Sequence, residues 1–159
     1  MKKLIIMTGP QGSGNHLFSK MFASNPHVGG WKNLNETFWE GHHLEPFYYV
    51  WRGDRKLAIE DFDGSDYWVT SVSIPVLVKG GNFNVDIIDF YNQAKDLGID
   101  VQLGIITRDK NILEHQQTRV RTESTIHNFM EMMDRADAEE LPYHMISHES
   151  LVLHGTRYA

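Results

Sequence analysis

A chain of 159 residues, 41% hydrophobic and 23% charged, suffices for one domain with a real core. Its formal net charge of −6 excludes a broad nucleic-acid surface, so an anionic ligand must be held by a local cluster. The lack of cysteine excludes disulfides, thiolate metal sites and a cysteine nucleophile. No run reaches the roughly 18 apolar residues of a membrane span, so neither a membrane nor a nucleic acid is expected as a partner, and a cytoplasmic location is the expectation.

Residues 4–7 predict a buried strand, and their apolar run is too short for a secretory signal. They lead into Gly9-Pro10-Gln11-Gly12-Ser13-Gly14-Asn15-His16. Strand, glycine-rich turn and helix is the arrangement that cradles a phosphate: glycines let backbone N–H groups face an anion, and the helix start adds positive potential. The spacing is that of a Walker A loop, G-x-x-x-x-G-K-[ST]. Asn15 stands where that motif has lysine, and His16 where it has the magnesium-binding hydroxyl.

A helix is expected over 14–24, ended by Asn25-Pro26. Residues 27–66 read as irregular and rich in aromatics, among them Trp31, Phe38, Trp39, Phe47, Tyr48, Tyr49 and Trp51. These suit either an acceptor pocket or the core. A β-rich run over 68–74 stops at Pro75, and a helical period over 85–97 ends at Gly98. A second buried strand is expected over 101–107. A helical stretch over 111–136, broken near 122–124, then precedes a short strand over 143–147. Met130, Met132 and Met133 read as core packing.

Strands alternating with helices predict a single α/β domain over 1–159: three-layer αβα with a parallel sheet, of the P-loop nucleotide-binding type. Ligands in such sheets bind at the carboxyl ends of strands. The candidates are therefore Gly9–His16, Ser73–Pro75, Arg108-Asp109 and His148-Glu149. No aspartate ends the strands over 68–74 and 101–107, so the metal apparatus of a magnesium NTPase is missing from the pattern. Arg108 offers a charged fork at a strand end, which suits a phosphate or a salt bridge with Asp109. Arg119 and Arg121 extend that basic group or form a solvated face. Grouping His42, His43 and Glu45 as metal ligands is poor, because adjacent residues rarely converge on one ion, and no metal is expected.

Four segments in order resemble the sulfotransferases that use 3′-phosphoadenosine 5′-phosphosulfate (PAPS). Gly9–Leu17 resembles their 5′-phosphosulfate loop, and Asn25-Pro26-His27-Val28 resembles the H-P-D-V segment of heparan-type members. Ile105-Ile106-Thr107-Arg108-Asp109 resembles the strand end whose arginine holds the 3′-phosphate. Ile146–Val152 resembles the Y-E-x-L segment, with His148 in place of the tyrosine.

The resemblance implies PAPS as co-substrate, PAP as product, and a small-molecule or glycan hydroxyl as acceptor. It implies that Gln11, Gly12, Ser13, Gly14, Asn15 and His16 surround the 5′-phosphosulfate. Arg108 and Gln116, eight residues on where the family has serine, would hold the 3′-phosphate. Asn35-Glu36-Thr37-Phe38-Trp39 resembles the segment carrying the catalytic glutamate, so Glu36 is the first choice of base, with His42 and His43 second.

The sequence departs from the family in specific places. Gln11 or Gly12 occupies the position of the loop lysine or arginine, and Ser71 and Ser73 lie where a Lys-Thr-His strand end would fall. Lys20, Lys32 or Arg52 would serve as replacement cations only if the fold brings them near; the family's C-terminal basic clamp is not recognisable, and Arg157 would be its remnant. Two other readings stand beside this one: a P-loop kinase-like nucleotide-binding protein with a degenerate Walker A loop, and a non-catalytic scaffold.

Overall fold

The computed structural model describes residues 1–30, 45–78, 81–121 and 124–157. Strand β1 spans Lys3–Pro10, three residues beyond the apolar run that announced it, with Leu4, Ile6 and Met7 wholly buried. The turn after it delivers helix α1, Asn15–Ala23. Gly14 caps its start in the left-handed region at φ 101°, and Ser24 closes it. Strand β2 (Val28–Gly29), the short helix α2 (Tyr48–Trp51) and a 3₁₀ turn (Ile59–Phe62) follow. Then come β3 (Tyr67–Ile74), an antiparallel hairpin of β4 (Val76–Val78) and β5 (Gly81–Phe83), α3 (Ile87–Asp96) and β6 (Asp100–Thr107). Helices α4 (Lys110–Arg121) and α5 (Ile126–Ala138), strand β7 (Tyr143–Ser147), helix α6 (His148–His154) and a final 3₁₀ turn (Gly155–Arg157) complete the order.

Five strands form one sheet in the order β2–β3–β1–β6–β7, and every pairing is parallel. Alternation along each central strand sends side chains to two cores. Leu4 and Ile6 of β1, Val72 and Ile74 of β3, and Leu103 and Ile105 of β6 face a cluster with Ile88 and Phe90 of α3 and Phe129 and Met132 of α5. Met7, Val69 and Ile106 face the other side, against Phe18 of α1. Helices thus flank both faces of a parallel sheet, consistent with a three-layer αβα arrangement.

Several details differ from the sequence expectation. The hairpin of β4 and β5 was not foreseen, because each strand is only three residues long and the first follows Pro75 directly. Phe47, Tyr48 and Trp51 lie in or against the core, Phe47 stacking near Phe62, Trp68 and Phe90 at ring distances of 5.1, 5.6 and 5.7 Å. They do not line a pocket for an acceptor. Trp31, Phe38 and Trp39 lie outside the described residues. Met132 is buried and Met133 packs against the core, but Met130 is 52% exposed, since it sits on the solvent side of α5. Among the described residues, no helix is long and apolar enough to cross a membrane.

Candidate functional site

The parallel register brings the chain's chemistry-bearing segments to one edge of the sheet. Pro10 pairs with Ile74, Thr8 with Ile105, and Thr107 with Ser147. The glycine loop after β1, Arg108 after β6 and His148 after β7 therefore emerge together. This is the carboxyl edge, where ligands of such sheets bind.

The loop's carbonyl groups are held almost one by one. The Gly9 oxygen accepts from the Asn15 side-chain amide at 3.3 Å, and the Pro10 oxygen from the Ser13 N–H at 3.0 Å. Gln117 Nε2 donates to the Gln11 oxygen at 2.7 Å, and Arg108 Nη1 to the Gly12 oxygen at 2.8 Å. The Gly14 oxygen takes the Phe18 N–H at 3.2 Å. With its oxygens pinned and the Ser13 N–H turned back on Pro10, the loop has its remaining N–H donors to offer a ligand. The first-turn amides of α1 add to them, because helix geometry gives them no intrahelical acceptor. Gly14 supplies no side-chain cap and the first turn itself carries no acid; the carboxylate beside that turn is Glu45, which faces His16. Positive φ at Gly12 (88°) and Gly14 (101°) makes the curl possible.

Arg108 is the strand-end cation at this loop. Besides the Gly12 oxygen, its Nη1 reaches Gln116 Oε1 at 3.0 Å, while Nε is buried without a hydrogen-bond partner and lies 3.9 Å from Glu149 Oε1. Asp109 does not neutralise it. The Asp109 carboxylate instead caps α4 by accepting from the Asn111 and Ile112 N–H groups at 2.9 and 3.1 Å. Glu149 accepts from the Asp109 N–H at 3.1 Å. Partial burial pushes its carboxyl upward, but that N–H, its own N–H, His148 and Arg108 together hold it below the usual glutamate range. The arginine therefore sits beside a carboxylate at neutral pH, close enough to orient it and too far for a direct bond. His148 crosses the loop's far side: a Cβ added to Gly14 would come within 2.8 Å of its ring.

The other anticipated side chains are placed differently from one another. Ser13 and Asn15 are buried at 0% and 3% exposure; Ser13 Oγ donates to Asn15 Oδ1 at 2.8 Å, and Asn15 Nδ2 to Ser73 Oγ at 3.1 Å. They brace the loop from beneath and present only main chain to a ligand. Gln11 is 1% exposed, its Oε1 accepting from the Thr125 hydroxyl at 3.2 Å. His16 lies in the first turn with Nε2 3.4 Å from the buried Glu45 carboxylate. Ser71 is fully buried.

Arg52 is held by the Tyr48 hydroxyl at 2.7 Å and by Asp54 at 3.1 Å, and Lys20, Arg119 and Arg157 are exposed. The catalytic candidates Glu36, His42 and His43, and the cation Lys32, lie outside the described residues. Among the described residues, no group of acidic, histidine or cysteine side chains is arranged to hold a metal ion.

Sequence reasoning missed Gln117, Thr125 and Asn82 as loop neighbours. Polar residues of that kind carry no periodic or motif signal; only the fold brings them to position 11. Comparisons with protein-family models, with curated proteins and with solved structures find no match for this chain.

Proposed function

We propose that the carboxyl edge of this sheet binds PAPS or its product PAP, and that the chain is a small sulfotransferase-like domain of P-loop type. The observation that carries this reading is the junction of Arg108, Gln116 and the loop. The two positions that the resemblance pairs on the 3′-phosphate touch each other, and the arginine also touches the turn assigned to the 5′-phosphosulfate. In the bound state the loop and first-turn N–H groups hold the 5′ end, and Arg108 turns its free donors to the 3′-phosphate. Glu36, or else His42 or His43, takes the proton of an acceptor hydroxyl. The acceptor oxygen attacks sulfur in line, the sulfur–oxygen bond to the phosphate breaks, and PAP leaves with the electron pair. The chemistry calls for no metal, and the domain works in the cytoplasm on a small-molecule or glycan hydroxyl.

A kinase-like reading is weaker, because the side chain at the Walker lysine position, Asn15, is folded beneath the loop. The reading that stands second is nucleotide binding without transfer. It is favoured by the lack of a lysine or arginine at Gln11 or Gly12, and the Gln11 side chain is buried in a hydrogen-bond network. Calorimetric titration separates these cases. PAP is expected to bind without metal and to bind no more tightly when magnesium is added. Binding of ATP–magnesium alone would overturn the proposal. PAP binding without sulfuryl transfer to any acceptor hydroxyl would leave the nucleotide-binding reading.

A further inference from the structure

Under the loop lies a closed set of buried amide and hydroxyl groups. Gln117, on α4, is wholly buried, as is Gln11 at 1% exposure, and Thr125, just ahead of α5, is 2% exposed. The Thr125 N–H donates to Gln117 Oε1 at 2.8 Å, the Ser124 hydroxyl lies 3.5 Å from the same oxygen, and Gln117 Nε2 donates to the Gln11 main-chain oxygen at 2.7 Å. Chemistry fixes the orientation of this amide. A main-chain N–H can only donate and a main-chain carbonyl can only accept, so Gln117 must present oxygen to Thr125 and nitrogen to the loop. The Thr125 hydroxyl is shared between Gln117 Oε1 at 3.3 Å and Gln11 Oε1 at 3.2 Å. The neighbouring residue, Gln116, takes the Arg108 guanidinium that holds the next loop carbonyl, Gly12.

We propose that Gln117 is the positioning residue of the loop: by drawing the Gln11 carbonyl into the protein, it turns the Gly12 N–H of the same peptide plane toward the anion. The inference rests on the loop being an anion site, and it extends that reading to a residue far from any ligand atom. Adjacent residues of one helix thus hold adjacent loop carbonyls, Gln117 directly and Gln116 through Arg108. Once both carbonyls are fixed, the loop is organised before the ligand arrives, so less ordering entropy is lost on binding. Gln117 touches no reacting atom, and its effect passes entirely through the main chain of residues 11 and 12.

The test is the pair Gln117→Leu and Gln117→Glu. A glutamate matches the shape of glutamine but faces the Gln11 carbonyl with a second acceptor when ionised; protonated, it can donate as the amide does. Burial raises the pKa of such a carboxyl. The PAP affinity of Gln117→Glu, relative to wild type at each pH, is therefore expected near unity in mild acid and lower by roughly tenfold in mild base, the scale of one buried hydrogen bond lost. Gln117→Leu should be weaker at every pH with a flat ratio. A Gln117→Glu ratio that stays flat while circular dichroism reports an intact fold would overturn the inference.

Amide exchange of Ser13, whose N–H is bonded to the Pro10 oxygen at 3.0 Å, tests the same idea in the ligand-free protein without a nucleotide. That amide should exchange faster in Gln117→Leu, and unchanged exchange would overturn the latch. If wild type binds no PAP, the reading of the site fails, while the exchange result still decides the role of Gln117.

Discussion

Replacing Arg108 with alanine removes two bonds at once, those to the Gly12 oxygen at 2.8 Å and to Gln116 Oε1 at 3.0 Å. Both are charge-assisted on the donor side. The side chain is 24% exposed, so water can reach part of the space it leaves and replace some of what is lost. A stability cost of about 1–2 kcal/mol follows, below the sum of two isolated charged hydrogen bonds. The cost to nucleotide binding is separate. Loss of a charged donor from a phosphate weakens binding by about 1.5–3 kcal/mol, or roughly 10- to 150-fold in Kd. Calorimetry with PAP and with adenosine 5′-phosphate, which lacks the 3′-phosphate, divides the two contributions. If Arg108 serves the 3′-phosphate, alanine should erase most of the preference for PAP, beyond a smaller loss shared with adenosine 5′-phosphate that follows from freeing the Gly12 carbonyl. Arg55→Ala, at an exposed guanidinium engaged with Asp61, should alter neither affinity. An equal loss for both nucleotides would show that the arginine acts only by shaping the loop. An unchanged PAP affinity in a folded Arg108→Ala protein would refute the assignment altogether.

Gly14→Ala should destabilise by about 1–2 kcal/mol, because φ is 101° and the new methyl meets the His148 ring; thermal unfolding should register a drop of roughly 2–8 °C. Asp61 accepts from both Arg55 nitrogens at 2.7 and 2.6 Å; burial raises its pKa, but this pair and the Ala58 N–H outweigh it and hold the carboxyl low. With the folded pKa lowered, the stabilisation is present above the ordinary aspartate value near 4 and is lost as pH falls through the lowered one. Asp61→Asn should therefore lower the melting temperature at neutral pH, with a gap from wild type that closes in strong acid; a gap independent of pH would contradict this. Gln11→Lys, which puts back the basic residue of the sulfotransferase loop, should cost about 2–4 kcal/mol by burying an ammonium among acceptors already in use, and should not improve PAP affinity.

The parts of this structure that were legible in the sequence are those set by local chemistry. Gly14 and Asn25-Pro26 bracket α1 because a positive-φ residue and a helix-ending pair act on their own neighbours. Arg108 was legible because an arginine just after a buried apolar run must emerge at a strand end. The break between α4 and α5 was marked by the polar run around Thr122–Ser124, although its purpose was not. Thr125 there closes the network on Gln117, a contact made across the fold. Residue type alone offered Asp109 or a phosphate as the partner of Arg108, yet Asp109 caps a helix. Gln116 was set beside Arg108 only through the family resemblance, and the two do touch; the other neighbour, a loop carbonyl 96 positions away in sequence, carried no signal. Met130 was misplaced because a methionine pair at helical spacing fits either face of α5 until the packing against β1 and α3 is known. Gln11 and Asn15 showed only that the expected lysines were missing. That both side chains are turned inward depends on partners brought by the fold: Val72 and Ser73 of β3 accept from Asn15, while for Gln11 the Thr125 hydroxyl donates and Asn82 of β5 accepts.

Those inward turns share one physical logic. A Walker A loop has its lysine at position 15, and the sulfotransferases that the sequence resembles have a basic residue at position 11 or 12; here positions 11 and 15 hold neutral amides that hydrogen-bond to the protein. A neutral amide can be buried with its donors and acceptors satisfied, whereas an ammonium in the same place would carry a large desolvation cost. The exchange gives a stiffer loop with less charge. With a net charge of −6 on the chain, the protein's overall field opposes an approaching polyanion, and the local site must overcome it. What it has for that purpose is oriented N–H groups, the start of α1 and one strand-end arginine. N–H groups and a helix start recognise a tetrahedral anion by charge and shape, and they do not distinguish a sulfuryl from a phosphoryl group. On the proposed reading, selectivity at this edge would therefore reside at Arg108 and the Gln116 amide beside it.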